Sequence, residues 1–274
     1  MNSSYQSLHT HTLYCDGTKS VEDMIKAAIE KGGSSLGFSE HSDVLFDPDY
    51  SMTIEDTPVY IDDVRKMQKK YDGEFDVFLG LEVDYFTDYV PSDLDYIIGS
   101  VHHVFYKGEF ITVDGSAGHV KFITKEHFKG NFYKMAEVYY ETLADIINKT
   151  NADIVAHFDL VAKHNVDNKL FDDKNHRYVK AALAAMDSIL EKCKLFEVNT
   201  GAMFRLGNPE PYPSAFLLKE LCKRGGEVIL SSDSHKPESL YYKFDEVLEL
   251  VKACGFKHIK RLTKDGFIDV PINN

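Results

Sequence analysis

The chain has 274 residues, 43% of them hydrophobic, and a formal net charge of −13. That is long enough to bury a substantial core, and the acidity speaks against a general nucleic-acid binder, which normally presents a basic surface. No apolar run approaches the roughly 18 residues of a membrane span, and the polar opening Met1–Gln6 lacks the layout of a signal peptide.

Cys15, Cys193, Cys222 and Cys254 are scattered with no CxxC pair, so reduced thiols in a cytoplasmic protein are expected. No linker of Pro, Gly and Ser and no internal repeat divides the chain. A single domain over residues 1–274 is therefore expected.

Taken in chain order, the apolar runs predict strands at Tyr5–His9, Ser35–Ser39, Val77–Val83, Tyr96–Val101, Asp153–Ala156, Leu195–Val198 and Glu227–Ser231. Several are short continuous runs, which suits parallel strands buried on both faces. Helical patterns fall between them. Ser20 is placed to cap a helix over Val21–Lys31, and Thr57-Pro58 opens another that reaches about Tyr71. Further helices are predicted over Asn131–Asn148, Asn175–Lys192, Ser214–Arg224 and Glu238–Ala253. Alternating strands and helices imply right-handed βαβ units around a parallel sheet.

The C-terminal ends of these strands share a chemistry. They carry His9 and His11, then Glu40-His41, Glu82, His102, His157, Asn199, and finally Asp233 and His235. In a parallel barrel the site forms at that rim. A barrel would gather these groups, whereas an open sheet would spread them along a line. His9 and His11 are two apart and share a face, as do Asp233 and His235, and Asp16 follows in the first turn. Imidazoles and carboxylates without thiolate suit zinc, manganese or iron.

A lone histidine such as His157 is more often a hydrogen-bonded structural residue than a ligand. Two spaced pairs and three further His or Glu ends on one rim are costly to bury without cations. His103 neighbours His102, although alternation along a strand would point it the other way. His119, His127, His164, His176 and His258 are expected in surface or loop roles.

The stretches HTHTLYCDG, FSEH, GLEVDY, GSVHH, AHFDL and SSDSH resemble the successive motifs of the PHP (polymerase and histidinol phosphatase) family. The resemblance spans nearly the whole chain, and DYIIGSVHHV, AHFDLVAKHN and EVNTG followed by YPS resemble its histidinol-phosphatase branch. The resemblance implies a distorted seven-stranded (β/α)7 TIM-like barrel with up to three divalent ions. His9, His11, Glu82 and Asp233 would hold one, Glu82 would bridge to a second with His102 and His157, and Asp16, His41 and His235 would hold the third. Many family members place histidine near the Asp16 position.

It also implies a phosphomonoesterase acting on L-histidinol phosphate in histidine biosynthesis. Paired metals of this kind lower the pKa of bound water and clamp the attacking and leaving oxygens of an in-line displacement. Glu82, Asp233 and His235 would then belong to the catalytic centre, with Arg205 and Lys163 as candidate phosphate contacts. His103, Asn199, Asp84 and Asp114 are candidate contacts to the rest of the substrate. Cys15 is expected to be a bystander. The stretch FITKEHFKGNFYK, in the segment between His102 and Asp153, is a candidate cover over the pocket.

A different phosphate monoester or nucleotide is the alternative substrate, and a catalytically silent metal-binding module is the alternative of another class. The oligomeric state is not legible.

Overall fold

Apolar runs and helix-period segments alternate along the chain, and the fold follows that alternation strand by strand. The computed structural model describes residues 5–48, 50–166 and 169–272, so the first four residues of the polar opening lie outside the described residues. β1 (Gln6–Ser7) leads into α1 (Val21–Glu30), whose start is fixed by the Ser20 hydroxyl accepting from the Asp23 amide. α1 buries Val21, Met24, Ile25 and Ala28, the face that helical spacing selects. Val21, Met24 and Ile25 each contribute about 1.5–3 kcal/mol on leaving water.

β2 (Ser35–Phe38), α2 (Thr57–Lys70), β3 (Asp76–Asp84) and β4 (Tyr96–Ser100) follow. A hairpin of β5 (His103–Tyr106) and β6 (Glu109–Thr112) comes next, then α3 (Ala117–Phe128), α4 (Phe132–Leu143) and α5 (Ile146–Thr150). β7 (Ile154–Val155), α6 (His176–Leu190), β8 (Leu195–Asn199), α7 (Gly201–Leu206), α8 (Ala215–Lys223), β9 (Glu227–Ser231) and α9 (Phe244–Ala253) complete the main body. A second hairpin, β10 (His258–Thr263) with β11 (Gly266–Pro271), ends it.

The seven-stranded sheet has the order β1-β2-β3-β4-β7-β8-β9, with every neighbouring pair parallel. Its two edges meet beyond β1 and β9. Thr10 bridges Ser234 in parallel, and the His11 amide donates to the Ser234 carbonyl at 2.8 Å. The result is a distorted, nearly closed (β/α)7 barrel. Tyr96 is buried with its hydroxyl bonded to the carbonyls of Leu8 and Phe38, tying three strands together below the rim.

All seven predicted strands are present, with ends shifted by a residue or two. Two predicted helices differ. The segment Asn131–Asn148 is broken at Ala144–Asp145, where the Asp145 carboxylate accepts from the Tyr85 hydroxyl at 3.0 Å. Glu238–Ala253 starts late, because Tyr241 and Lys243 adopt left-handed backbone (φ 58° and 54°) and the Tyr241 hydroxyl donates to the Ser35 carbonyl. The β5–β6 hairpin was not anticipated. Its turn is Lys107-Gly108, both at positive φ (53° and 89°), the backbone that suits a two-residue hairpin loop.

Candidate metal centre

The first strand ends in His9-Thr10-His11, and the pleat sends His9 and His11 to the same side. Both rings are fully buried. The next strand brings His41, which forms a parallel bridge with Glu82. The Glu82 amide donates to the Glu40 carbonyl at 3.0 Å and the Ser42 amide to the Glu82 carbonyl at 2.9 Å. Backbone pairing therefore fixes the Glu82 carboxylate beside the His41 ring.

Five imidazoles surround that carboxylate. His9 Nε2 lies 3.0 Å and His11 Nε2 3.6 Å from Oε2, and His41 Nδ1 lies 2.8 Å from it. His102 Nε2 and His157 Nε2 stand 3.4 and 3.0 Å from Oε1. Asp233, two residues past β9, places Oδ1 3.4 Å from His11 Nε2 and 3.9 Å from His9 Nε2. Its backbone has φ 46°, the left-handed region that Asp tolerates better than most residues. His235 Nε2 lies 3.1 Å from Asp16 Oδ2, and Asp16 Oδ1 is 3.8 Å from His41 Nε2.

Among the described residues, ligand-type atoms cluster in four groups: His9, His11 and Asp233; His11, Asp16, His41 and His235; His41, Glu82 and His102; and His11, Cys15 and Glu40.

Electrostatics favour cations here. Burial alone would raise the Glu82 carboxyl, but the rings of His9, His41 and His102 outweigh it and hold it well below the usual carboxylate range. Asp233 is likewise held well below its usual value, because Arg205, His9 and His11 overcome the effect of burial. His9 is raised, since Glu82, Glu197 and Asp233 outweigh desolvation, whereas burial and the neighbouring His235 and His41 lower His11 to about 3. Neighbouring rings are thus pushed in opposite directions. His9 Nε2, His11 Nε2 and Glu82 Oε2 are buried with no hydrogen-bond partner, despite their short contacts. Buried polar atoms left unpaired are costly. Buried imidazole and carboxylate atoms gathered this closely are what divalent ions satisfy, and the residues fit such ions.

A second layer of carboxylates stands behind the rings. Glu197, buried on β8, accepts at Oε2 from Ser231 Oγ (2.6 Å) and lies 2.8 Å from His9 Nδ1. Its Oε1 accepts from the His157 amide (2.6 Å) and Asn199 Nδ2 (2.7 Å). Burial opposes its ionisation, but the His9 and His157 rings hold its pKa below the ordinary glutamate value. His9 Nδ1 therefore donates to it, and Nε2 is the nitrogen that faces Glu82 and would meet an ion. Asp84 does the same for His102, 3.2 Å from Nδ1 and accepting from the His102 amide at 3.1 Å. Glu40 accepts from the Thr12 amide and hydroxyl and from Cys15 Sγ.

Gly17 lets this loop fold tightly: a Cβ there would meet Thr12 N at 2.5 Å and His11 O at 2.6 Å.

A cavity of about 490 Å³ opens over the cluster, lined in part by Asp16, Asp47, Tyr50, Glu82, His102, His157 and Asp233. Arg205, Lys163, His103, His235 and Asp114 also face it. Arg205 forks onto Asp233, with Nη2 2.9 Å from Oδ2 and Nη1 2.8 Å from the carbonyl, and Lys163 pairs with the Asp114 carboxylate.

Several expectations need correction. Asp84 is no wall of this cavity, because its carboxylate is spent on His102 and the Phe86 amide. Asn199 is fully buried and committed to Glu197, Asp233 and the Gly201 amide, so it stands outside the cavity lining. His103 does face the cavity and bonds Asp47 at 2.9 Å. Alternation fails there because β4 ends at Ser100 and His103 begins a new strand. Cys15, an expected bystander, stands close to the cluster, with Sγ 2.7 Å from Glu40 Oε2 and 3.4 Å from His11 Nδ1. The stretch FITKEHFKGNFYK runs from α3 into α4 and contributes nothing to the cavity wall, where Thr112, Asp114 and Gly115 stand instead.

Glu197 escaped sequence reasoning. A glutamate inside an apolar strand, two residues before Asn199 on the same face, was the available signal.

A sequence profile for the PHP domain matches residues 7–201. A probable histidinol-phosphatase of Deinococcus radiodurans is 28% identical, aligned over 92% of this chain and 96% of its own length. The histidinol-phosphatase of Bacillus subtilis is 23% identical, over 88% and 97%. The crystal structure of histidinol phosphate phosphatase from Lactococcus lactis, complexed with zinc, L-histidinol and phosphate, superposes with a TM-score of 0.71 at 20% identity. It covers 96% of this chain and 98% of that one, a likeness of fold.

Proposed function

This chain belongs to the PHP domain family, and we propose on that footing that it hydrolyses L-histidinol phosphate to L-histidinol and phosphate as a metal-dependent phosphomonoesterase. The observation that carries the proposal is the convergence of five imidazoles on Glu82, with Asp233, Asp16 and His235 adjoining, at the mouth of a barrel. Full-length similarity to histidinol-phosphatases supports the choice of substrate. Up to three divalent ions, zinc, manganese or iron, are proposed, held by His9, His11, Glu82 and Asp233, by Glu82, His102 and His157, and by Asp16, His41 and His235.

When bound, such ions supply a water of lowered pKa and neutralise phosphoryl oxygens. The chain's own groups do the rest. Glu82 and Asp233 stay ionised at neutral pH, for the reasons given above, and keep the centre charged for cations. Glu197 and Asp84 fix which ring nitrogen His9 and His102 present. Arg205, held over the centre by Asp233, offers a planar fork suited to phosphate oxygens, and Lys163 adds a point charge on the same wall. Asp114, beside Lys163, is the acidic wall group available to the ammonium or imidazole of the alcohol product. Removing water as the pocket fills strengthens each of these contacts.

The test is metal content per chain by elemental analysis, paired with phosphate release from L-histidinol phosphate and a panel of other phosphate monoesters. The reading requires bound divalent metal and a kcat/KM for L-histidinol phosphate that exceeds the rest by orders of magnitude. A metal-loaded sample inert toward every ester would sink it.

A further inference from the structure

Behind the metal pocket lies another cavity, of about 580 Å³, within the usual size of small-molecule sites. The short turn Leu160–Ala162 divides the two: Leu160 and Lys163 face the metal centre, while Asp159 and Ala162 face the rear cavity. Val166, Tyr178, Pro211 and Phe216 give it an apolar body, and Phe216 stands 46% exposed.

Among the described residues that line it, three side-chain oxygens have no hydrogen-bond partner: Asp159 Oδ1, Asn208 Oδ1 and the Tyr212 hydroxyl. Asp159 is 3% exposed, and its Oδ2 accepts from the Ser214 amide at 3.0 Å, which fixes the carboxylate. Its Oδ1 has no partner. Tyr212 is 5% exposed and held through both backbone groups to Asn199, and its hydroxyl has no partner either. Buried oxygens of this kind are normally paired, and a carboxylate oxygen is the most costly to leave alone. The charge around them has a sign. Among the described residues, Asp159, Asp173 and Glu210 line the cavity against one base, Lys174.

We propose that this rear cavity is a second ligand site, separate from the metal centre, for a small organic cation with an apolar body. Its ammonium would donate to Asp159 Oδ1 and the Tyr212 hydroxyl while its body packs between Tyr178, Pro211 and Phe216. Such a ligand supplies donors to Asp159 Oδ1 and the Tyr212 hydroxyl, which an anion cannot do. Metal chemistry plays no part in this site, so the proposal does not depend on the assigned reaction.

The probe is 2-phenylethylamine, titrated calorimetrically into the metal-loaded protein, with 2-phenylethanol and phenylacetate as the neutral and anionic counterparts. The amine is expected to bind with Kd of about 1 mM or tighter, more tightly than the alcohol by about tenfold, and the acid not at all. Asp159→Asn should weaken the amine about 10- to 100-fold. Val179→Phe, which fills the cavity from α6, should abolish binding while the melting temperature and phosphatase turnover stay put. Should Asp159→Asn not fold, Val179→Phe decides alone.

Absence of saturable binding would mean that only water fills the cavity. The site is also refuted by tighter binding of phenylacetate, by indifference to Val179→Phe, or by displacement of the amine by inorganic phosphate, which would locate it in the metal pocket. None of these readouts is the phosphatase reaction itself, so a wrong substrate assignment leaves them standing.

Discussion

Replacing Glu197 by glutamine tests whether the carboxylate behind the rings governs metal binding. The carboxylate takes four donors, two on each oxygen. Glutamine keeps one acceptor. If its NH2 replaced Oε1, it would confront the His157 amide, which cannot accept, and the Asn199 NH2, whose flip would break the bond Asn199 Oδ1 accepts from the Gly201 amide. Replacing Oε2 instead, the NH2 meets the Ser231 hydroxyl, which can rotate, and His9 Nδ1. The second orientation is the cheaper one.

His9 must then accept at Nδ1 and carry its proton on Nε2, the atom 3.0 Å from Glu82. A protonated Nε2 cannot ligate. The loss is one charge-assisted hydrogen bond plus a tautomer switch in a site that is 1% exposed and unscreened by water. That amounts to about 1.5–3 kcal/mol, or about 10- to 100-fold in affinity for the ion His9 faces. Competitive chelator titration measures it, and melting of the metal-free protein reports on the fold. Unchanged metal affinity would refute the argument. So would a metal-free protein that melts far lower than the parent, since that indicates a purely structural carboxylate.

Other perturbations bear on the same site. Glu82→Gln removes the carboxylate shared by five rings, so metal per chain should drop and kcat should fall by about 10²–10³-fold or more; full retention of metal and turnover would defeat the assignment. Arg205→Lys gives up the fork on Asp233, lowering kcat/KM by about 10- to 100-fold with metal content preserved, and an unchanged kcat/KM would remove Arg205 from phosphate binding. Exhaustive chelation should stop phosphate release and lower the melting temperature by about 5–10 °C at metal concentrations near 100 times Kd, both restored by adding divalent metal. Cys15→Ser keeps a donor for Glu40 and should retain most activity; complete loss would point to thiol chemistry.

The strands and their chemical ends were legible in the sequence because both depend on local rules. Continuous apolar runs report strands buried on two faces, and a spacing of two puts His9 beside His11 and Asp233 beside His235 on one side. Parallel winding then brings every strand end to one rim, so the clustering of imidazoles and carboxylates followed from position alone. The pairing partners did not follow. Glu197 reaches His9 across 188 residues of sequence, and Asp84 reaches His102 across 18, so which carboxylate stands behind which ring is set only when strands pack side by side.

The same holds for His103, whose direction was decided by a break between β4 and β5 that no periodicity records. It holds too for Arg205, whose guanidinium is aimed by Asp233. Local pattern placed the groups on the rim. Only the packing of distant segments decided which of them face one another, because hydrogen-bond geometry depends on neighbours that the chain brings together last.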